Sequence, residues 1–474
     1  MKILSQILLF LTTTWIGISP TINQFAEGVV GQPRSFLPHQ TETATDKTIS
    51  RLIYRGIFRY DIYGTLVPDL AETWSISEDG LVYTVKLKDE QYWSNGDKIS
   101  ADDLIYTAYK VPNLTGVATD KVDAFTVRYT LPNKYSPFLS LLTTSVMPNN
   151  AEEKLDALKP VSSGPFRVIR IEKSGPVIKQ VILAHKDPEQ DIRKLSFRFY
   201  ANEEELLTAA KLGEIDGFVS HSDYEIDNFK EYDFPQQGVY YALFFNLRNE
   251  KYQNKELRKA LRDVLPIEQL VFDRGIAVQG PISRSSFTDR TINFDQYDEE
   301  FEDNYEDLTL RITVPDIKIH KKLAEDIAHL WEVKLKVEAK VKEYDSDKIL
   351  DEVIRGRDFE ILFYGQEIGR DPDRYVNWHS TQSIDPGLNL SGFEQVRADR
   401  ALEEGRNEPN NEQRKVHYNE FQTVIEEEVP AIFLYHPFSK YYVSKFVDGV
   451  GEKYTFTDGD RFSDFSSWVR IETN

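Results

Sequence analysis

The residues best suited to bind or transform a ligand are concentrated in one segment, residues 359–382. This segment leads from a predicted strand into a stretch that carries acids, amides and aromatic side chains: Gln366, Glu367, Asp371, Asp373, Tyr375, Trp378 and His379. Ligand groups usually gather after the end of a strand in an α/β protein, and these residue types suit that role. The alternative is a solvent-exposed loop in which Asp371-Pro372 is ordinary turn chemistry.

The sequence lacks the common catalytic motifs. It contains no G-x-x-x-x-G-K-[ST] phosphate loop, no G-x-G-x-x-G, no G-x-S-x-G elbow and no H-E-x-x-H. The eight histidines show no tight ligand spacing, and the absence of cysteine excludes disulfides and thiolate metal sites. We therefore expect no metal and no cofactor. A hydrolase with two carboxylates across a cleft stays open, because the 78 acidic residues supply many candidate pairs.

Composition narrows the class of protein. The chain has 474 residues, of which 40% are hydrophobic and 28% charged, as in soluble globular proteins, and its length suggests two to three domain-sized units. The formal net charge of −21 argues against a nucleic-acid binder, because phosphate contacts need Lys and Arg. It equally disfavours adsorption to anionic lipid.

The amino terminus predicts export. Lys2 precedes a mostly apolar run at residues 7–18, which matches the core of a signal peptide better than a membrane span of about 20 residues. Ala26 is the only small residue near a plausible cleavage position, so an uncleaved anchor also stays open. A buried first helix is disfavoured by Pro20.

The first region is predicted to be rich in β-structure. Tyr83, Val85 and Leu87 alternate with polar residues after an Asp-Gly turn at 79–80, which predicts a hairpin. Ser100 with Asp103 has the capping-box spacing that opens a helix towards residue 109.

Strands and helices alternate in the second region. Asn202 and Asn254 are predicted N-caps, and the elements that follow are a strand at 308–314, a helix at 318–331, a strand at 333–341, a helix at 346–355 closed by Gly356, a strand at 359–364, a helix at 411–428 and a strand at 431–435. This order predicts an α/β lobe with a partly parallel sheet. The short tail then most simply returns to the first lobe, and ligands commonly bind between two such lobes.

An ordered series of motifs resembles the family 5 extracellular solute-binding proteins, which include the oligopeptide-, dipeptide- and nickel-binding components of ABC importers. The motifs lie at residues 31–38, 66–88, 93–104, 163–166, 244–247, 257–261, 371–372, 389–393 and 428–432. The resemblance implies a two-lobed α/β fold with an extra β-rich subdomain. The expected division is a signal peptide or anchor at 1–26, lobe one at 27–245 with the subdomain at about 46–160, lobe two at 246–438, and a return to lobe one at 439–474.

The resemblance also implies a non-catalytic protein outside the cytoplasmic membrane. It would capture peptides or similar small solutes between its lobes and deliver them to an ABC permease. We expect a monomer that touches the membrane only through its leader and binds no nucleic acid.

In peptide-binding relatives the peptide lies extended like an added strand, and a carboxylate holds its amino terminus. That acid usually lies a few residues before the Asp-Pro turn: counting forward from Tyr364 gives Glu367, and counting back from Asp371 gives Ile368. The usual Asp is absent, so the expected anchor is Glu367 or Asp371. The other expected cleft residues are Gln366, Tyr364, Tyr375, Trp378, Asn246 and Phe36, with core packing as the alternative for the aromatic ones. An oligosaccharide site using Trp378 and Gln366, or a nickel-chelate site near His379, stays open.

Overall fold

The computed structural model describes residues 23–471 apart from 150–155, 221, 284–285, 288–296, 299–302 and 304. The apolar run at 7–18 lies outside the described residues. In chain order the strands are β1 (Gln24–Val30), β2 (Phe58–Tyr60), β3 (Leu66–Pro68), β4 (Ala71–Ile76), β5 (Val82–Leu87), β6 (Ala118–Lys121), β7 (Thr126–Thr130), β8 (Phe166–Ser174), β9 (Val177–His185), β10 (Lys194–Tyr200), β11 (Gly217–Ser220), β12 (Phe229–Pro235), β13 (Val239–Phe245), β14 (Gly275–Ala277), β15 (Thr309–Pro315), β16 (Glu338–Tyr344), β17 (Ile361–Glu367), β18 (Ala431–Ser444), β19 (Val447–Asp448) and β20 (Val469–Arg470).

The helices connect these strands and cover the faces of the sheet. They are α1 (Ala44–Ile53), α2 (Ala101–Lys110), α3 (Phe138–Leu141), α4 (Glu203–Lys211), α5 (Glu250–Gln253), α6 (Lys255–Asp263), α7 (Ile267–Val271), α8 (Lys318–Leu335), α9 (Tyr375–Trp378), α10 (Val396–Asn407) and α11 (Asn411–Glu428). Short 3-10 turns lie at Pro38–Gln40, Pro112–Leu114, Ser380–Gln382, Asp458–Phe462 and Phe465–Ser467.

One large sheet runs through the molecule in the order β16-β15-β17-β13-β18-β11-β1-β10-β9-β8. Strand β18 is shared between the two halves: its first residues pair with β13, and residues 440–443 pair with β11. Side chains on either side of this crossing form separate hydrophobic cores. We call residues 23–235 and 438–471 lobe one, and residues 239–435 lobe two.

The C-terminal segment packs back into lobe one. Phe462, Phe465 and Trp468 share a core with Phe25 of β1. Strand β1 begins at Gln24 and buries its third residue, Ala26, so lobe one starts earlier than the expected boundary at residue 27.

Strand β13 lies in the lobe-two sheet, on the lobe-one side of the boundary expected after residue 245. Strand β13 is hydrogen-bonded along its length to β17, and its side chains Leu243 and Phe245 lie in the core with those of α6 and α8. The chain therefore crosses between the lobes at residues 235–239. Apolar and aromatic side chains are buried on both faces of β13, which explains why it belongs inside the lobe-two sheet.

Lobe two confirms the predicted alternation of elements, with β15 parallel to both β16 and β17. The strand expected at 333–341 begins only at Glu338, because α8 continues to Leu335, which is fully buried one turn after Trp331. The helix expected at 346–355 is a π-helical turn at Leu350–Ile354, and Arg357 rather than Gly356 takes the left-handed backbone that ends it.

Several local predictions are confirmed in detail. Strands β4 and β5 form the expected antiparallel hairpin, and Ser100 with Asp103 closes a capping box at the start of α2. The Asn202 and Asn254 side chains accept hydrogen bonds from the first turns of α4 and α6. Within the described residues, no helix combines the length and apolar character needed to cross a membrane.

Candidate functional site

A cavity of about 660 Å³ lies between the two lobes, next to the crossing strands. Lobe one contributes one face of α1, residues 143–145 and residues 456–459 of the C-terminal segment. Lobe two contributes Val239, Glu367 and Ile368, where β13 begins and β17 ends. The volume falls in the range of small-molecule binding sites, about 300–1,000 Å³.

Glu367 is the carboxylate that lobe two presents to this cavity. It is the last residue of β17, pairs in register with Val239 and is exposed. Nothing in the described part of the chain donates a hydrogen bond to its carboxylate or forms an ion pair with it. A strand end holds the backbone of Glu367 in place, so its charge is available to a ligand. The loop that we expected to carry Glu367 and Gln366 is thus a continuation of the strand.

Helix α1 presents two cations from the opposite lobe. Lys47 and Arg51 lie one turn apart and line the cavity together with Ala44 and Thr48. Arg51 donates a hydrogen bond to the Thr457 hydroxyl, whereas the Lys47 ammonium has no partner within the described residues.

Gly238 lets the crossing strand pass against the C-terminal segment. A Cβ atom on Gly238 would lie 2.0 Å from the backbone oxygen of Phe456, so any larger residue would push the two walls apart. The backbone N–H of Ile368 donates to the Gly238 oxygen at 2.8 Å and fixes β17 to the same crossing. The cavity therefore lies against the segment in which the chain crosses between the lobes.

Asp371, the alternative anchor, is engaged elsewhere. Its two carboxylate oxygens accept hydrogen bonds from Arg414 at 2.7 and 3.0 Å, and Arg414 is only 3% exposed. Burial lowers the pKa of Arg414, but the Asp371 carboxylate outweighs it and the net pKa is raised. Asp371 is paired in this way and does not line the cavity, so the cavity gives no support to its expected role as a ligand anchor, which stays a prediction.

Gln366 and Trp378 belong to a buried polar network in lobe two. The Tyr240 hydroxyl donates to the Gln366 side-chain oxygen and accepts from the Trp378 indole N–H at 3.2 Å. The Gln366 amide donates to the Leu388 oxygen at 2.8 Å. Both side chains are buried in or beside the core and neither lines the cavity, so the cavity gives no support to the cleft role expected for them, which stays a prediction.

The remaining expected residues also lie outside the cavity. Tyr364 packs against the lobe-two core. The Tyr375 ring stacks on the His379 ring with 4.0 Å between centroids. The His379 ring also forms a hydrogen bond with the Glu403 carboxylate. Asn246 donates to two backbone oxygens near residue 358, and Phe36 is fully buried in lobe one. Phe36 and Asn246 thus hold the scaffold together.

The structure can now be placed among known proteins. The family model of the bacterial extracellular solute-binding proteins, family 5, matches residues 65–386. The chain belongs to this family. Family 5 consists of extracellular binding proteins and has the two-lobed fold described above.

Three relatives illustrate the similarity of this family 5 protein. The oligopeptide-binding protein AppA of Bacillus subtilis is 23% identical, over 86% of this chain and 85% of its own length. DppA from Helicobacter pylori, solved with the peptide STSA, has a TM-score of 0.67 and 19% identity over 95% of this chain and 98% of its own. NikZ from Campylobacter jejuni, solved with Ni(L-His), has a TM-score of 0.71 and 22% identity over 95% of this chain and all of its own.

The lobe-one wall of the family 5 cavity was missed by sequence reasoning. Thr43 followed by Asp46 has the capping-box spacing, and the structure shows both of its hydrogen bonds at the start of α1. That capping-box spacing would have predicted the helix. Because residues four apart share one face of a helix, it would also have predicted that Lys47 and Arg51 lie on the same face. Nothing local would have shown which face meets lobe two.

Proposed function

We propose that this family 5 protein captures peptides with a free amino terminus in the interlobe cavity. The observation that carries the proposal is Glu367, an exposed carboxylate without a protein partner in the described residues, which lines the cavity between the two lobes. An ammonium group would supply the missing opposite charge and several hydrogen-bond donors. The names of the relatives point to the same ligand class, oligopeptides and a bound tetrapeptide.

The wall chemistry supports peptides over the other ligands considered. An oligosaccharide site would need stacked aromatic rings, yet Phe456 is the only aromatic residue among the described residues that line the cavity. Nickel held directly by the protein would favour an imidazole ligand, and no histidine lies on the described part of the wall. A two-carboxylate hydrolase is disfavoured because the second acid on the wall, Asp458, is already engaged. Its carboxylate accepts a hydrogen bond from the Gln236 side-chain amide.

Native mass spectrometry of the purified full-length chain tests the proposal. We expect co-purified peptides of mixed sequence, which are lost on mild unfolding and refolding. The refolded chain is then titrated with an equimolar pool of synthetic tripeptides. Glu367→Gln should weaken binding of the pool about tenfold or more, since a charge-assisted hydrogen bond contributes about 1.5–3 kcal/mol.

A matched variant controls for the loss of one acid. Glu204→Gln changes an exposed carboxylate on the first turn of α4, away from the cavity, and should leave binding unchanged. If the pool does not bind at all, or if a nickel chelate binds in its place, the peptide function is wrong. If the pool binds equally to Glu367→Gln, the amine anchor is wrong.

We further propose that the loaded protein delivers its ligand to an ABC permease as a monomer, held at the outer face of the cytoplasmic membrane by its amino-terminal leader. Support comes from the extracellular family and the apolar run at residues 7–18. Membrane fractionation of cells expressing the full chain, compared with a variant carrying two lysines in that run, measures the role of the leader. Equal recovery from the membrane fraction would contradict it.

A further inference from the structure

Strand β2 and the segment that leads into α3 of lobe one lie against lobe two. The backbone N–H of Ser136 donates to the backbone oxygen of Arg406 at 2.8 Å. The Ser140 hydroxyl donates to the Asp371 carboxylate at 3.4 Å and accepts from the Tyr60 hydroxyl at 2.9 Å. The lobes are thus joined by these contacts as well as by the strands through which the chain crosses.

The Arg406 side chain spans the same boundary. Its guanidinium lies over the Tyr135 ring of lobe one, 5.3 Å from the centroid, and over the Tyr375 ring of lobe two, 4.1 Å from the centroid. A cation over the face of an aromatic ring is attracted to it. The Asp373 carboxylate accepts hydrogen bonds from the same guanidinium at 2.8 and 3.0 Å. Asp373 therefore holds Arg406 on lobe two, while the guanidinium reaches the Tyr135 ring.

Both lobe-two partners are fixed within their own lobe. Asp371 is paired with the buried Arg414, and Arg406 is paired with Asp373, whose side chain is only 7% exposed. Separation of the lobes would leave these two ion pairs intact and break only the contacts with lobe one. We call those interlobe contacts the clasp, formed by Tyr60, Tyr135, Ser136 and Ser140 of lobe one with Asp371 and Arg406 of lobe two.

The clasp borders the cavity without facing it. No clasp residue is among the described residues that line the cavity. On the lobe-one wall, the Thr143 hydroxyl donates to the Ser140 backbone oxygen at 2.7 Å, and on the lobe-two wall Ile368 precedes Asp371 by three residues. The clasp therefore forms only when the two walls are close together. Because it does not contact the ligand space, it favours closure equally with and without a ligand.

We propose that the clasp holds the cleft closed whether or not a peptide occupies it, so that breaking the clasp limits both entry and release. The inference rests on the peptide-binding function proposed above and adds a kinetic control to it. A closed resting form must open before a ligand can enter. Because the clasp stabilises the closed form with and without ligand alike, it slows association and dissociation by similar factors and leaves the affinity almost unchanged.

Pulsed dipolar EPR on the full-length chain tests the closed resting form. The chain contains no cysteine, so Asp120→Cys on β6 and Val416→Cys on α11, both at exposed positions, place one spin label on each lobe. After unfolding and refolding to remove bound peptides, we expect the same distance distribution with and without the tripeptide pool. The clasp variant Tyr135→Leu/Ser140→Ala keeps both lobe-two ion pairs and should show a second distance population without the pool.

Stopped-flow fluorescence with the free tripeptide pool, in which both ends of each peptide are unblocked, measures the kinetic effect. In the clasp variant the association and dissociation rate constants should each rise about fivefold or more, because a cation–π contact and a hydrogen bond are lost. The dissociation constant should stay within about twofold, a combination that loss of a ligand contact would not produce.

A matched variant controls for the loss of one tyrosine and one serine from lobe one. Tyr109→Leu/Ser75→Ala removes an exposed ring that lies under the Lys110 ammonium and an exposed hydroxyl on β4. It should change neither the distances nor the rate constants. Circular dichroism confirms that each variant is folded, and Ser140→Ala alone should give a smaller change in the same direction as the clasp variant.

The outcomes separate this inference from the proposed function. A distance distribution of the unmodified chain that moves when the pool binds overturns the closed resting form. A clasp variant whose distances and rate constants match those of the unmodified chain overturns the role of the clasp. If the pool binds to no form of the chain, peptide capture is wrong, and the distances measured without the pool in the unmodified chain and the clasp variant still decide whether the clasp holds the lobes.

Discussion

Arg370 of lobe two lies 2.6 Å from Asp460 in the C-terminal segment of lobe one. Its guanidinium also sits over the Phe456 ring, 4.7 Å from the centroid. The Asp460 carboxylate in turn accepts hydrogen bonds from the backbone N–H groups of Phe456 and Thr457, two residues that line the cavity. The ion pair therefore ties lobe two directly to the lobe-one wall of the binding site.

Loss of this ion pair should open the lobes without unfolding the protein. Both side chains are 21% exposed, so Arg370→Gln should change the free energy of unfolding by at most about 1 kcal/mol. The radius of gyration without ligand, measured by small-angle X-ray scattering, should rise because a contact that spans the cleft is gone. Arg355→Gln, which removes only an exposed ion pair within lobe two, is the control. An unchanged radius would show that the pair does not hold the lobes together.

Asp371 should prove important for stability rather than for binding. Asp371→Asn leaves the buried Arg414 cation without its counter-charge, and breaking such a pair costs about 3–5 kcal/mol. Urea unfolding measures the loss, and the double variant Asp371→Asn/Arg414→Met should recover part of it. Asp351→Asn breaks an exposed pair and should cost under about 1 kcal/mol. Similar values for the two single variants would contradict the buried-pair assignment.

The sequence predicted the scaffold better than the site. Capping boxes, turn residues and apolar periodicity act over a few residues, so α2, α11 and the β4–β5 hairpin could be predicted locally. The end of β17 could not, because pairing with β13 extends it to Glu367. A strand alternates its side chains between two faces, and that pairing sends Gln366 into the core and Glu367 into the cavity.

Aromatic residues were the weakest basis for predicting the site. Trp378 and Phe36 fit a ligand wall or a hydrophobic core equally well, and only tertiary packing decides between these roles. The residues that do form the opposite wall, around Lys47 and Thr457, are distant in sequence from Glu367 and from each other. Their meeting depends on where the returning C-terminal segment packs against α1, and local patterns do not encode that contact.

His320 should make the protein less stable in mild acid. It is 8% exposed on α8, its ring lies tilted against that of Tyr241, and burial together with the nearby Arg274 charge lowers its pKa from 6.5 to about 4. Because the unfolded chain binds this proton more readily, its contribution to stability is full above about pH 6.5 and lost as the pH falls towards 4. The loss attributable to His320 should approach about 3 kcal/mol.

The pH dependence of urea unfolding tests this assignment. His320→Phe keeps a ring among the aromatic neighbours and should flatten the decline between pH 6.5 and 4. His329→Gln removes an exposed histidine from the same helix and should leave the decline as it is. Identical pH profiles for His320→Phe and the unmodified chain would rule out His320 as the cause.

Arg374 should position the segment that carries Arg370 next to the cavity. It is fully buried, and its guanidinium donates to the backbone oxygens of Gly369, Asp371, Asp373 and Pro281 at 2.6–3.1 Å. Lysine keeps the charge but cannot reproduce the planar fork of donors, so Arg374→Lys should leave some of these buried oxygens without a donor. Each such oxygen costs about 1–3 kcal/mol.

We therefore expect Arg374→Lys to lower the free energy of unfolding by about 2–4 kcal/mol, measured by urea titration. Binding of the free tripeptide pool should weaken as well, because the segment that follows Glu367 is no longer fixed. Arg400→Lys, which alters an exposed arginine on α10 paired with Glu404, should change neither quantity. A destabilised Arg374→Lys that binds the pool with unchanged affinity would show that Arg374 supports the fold without positioning the site.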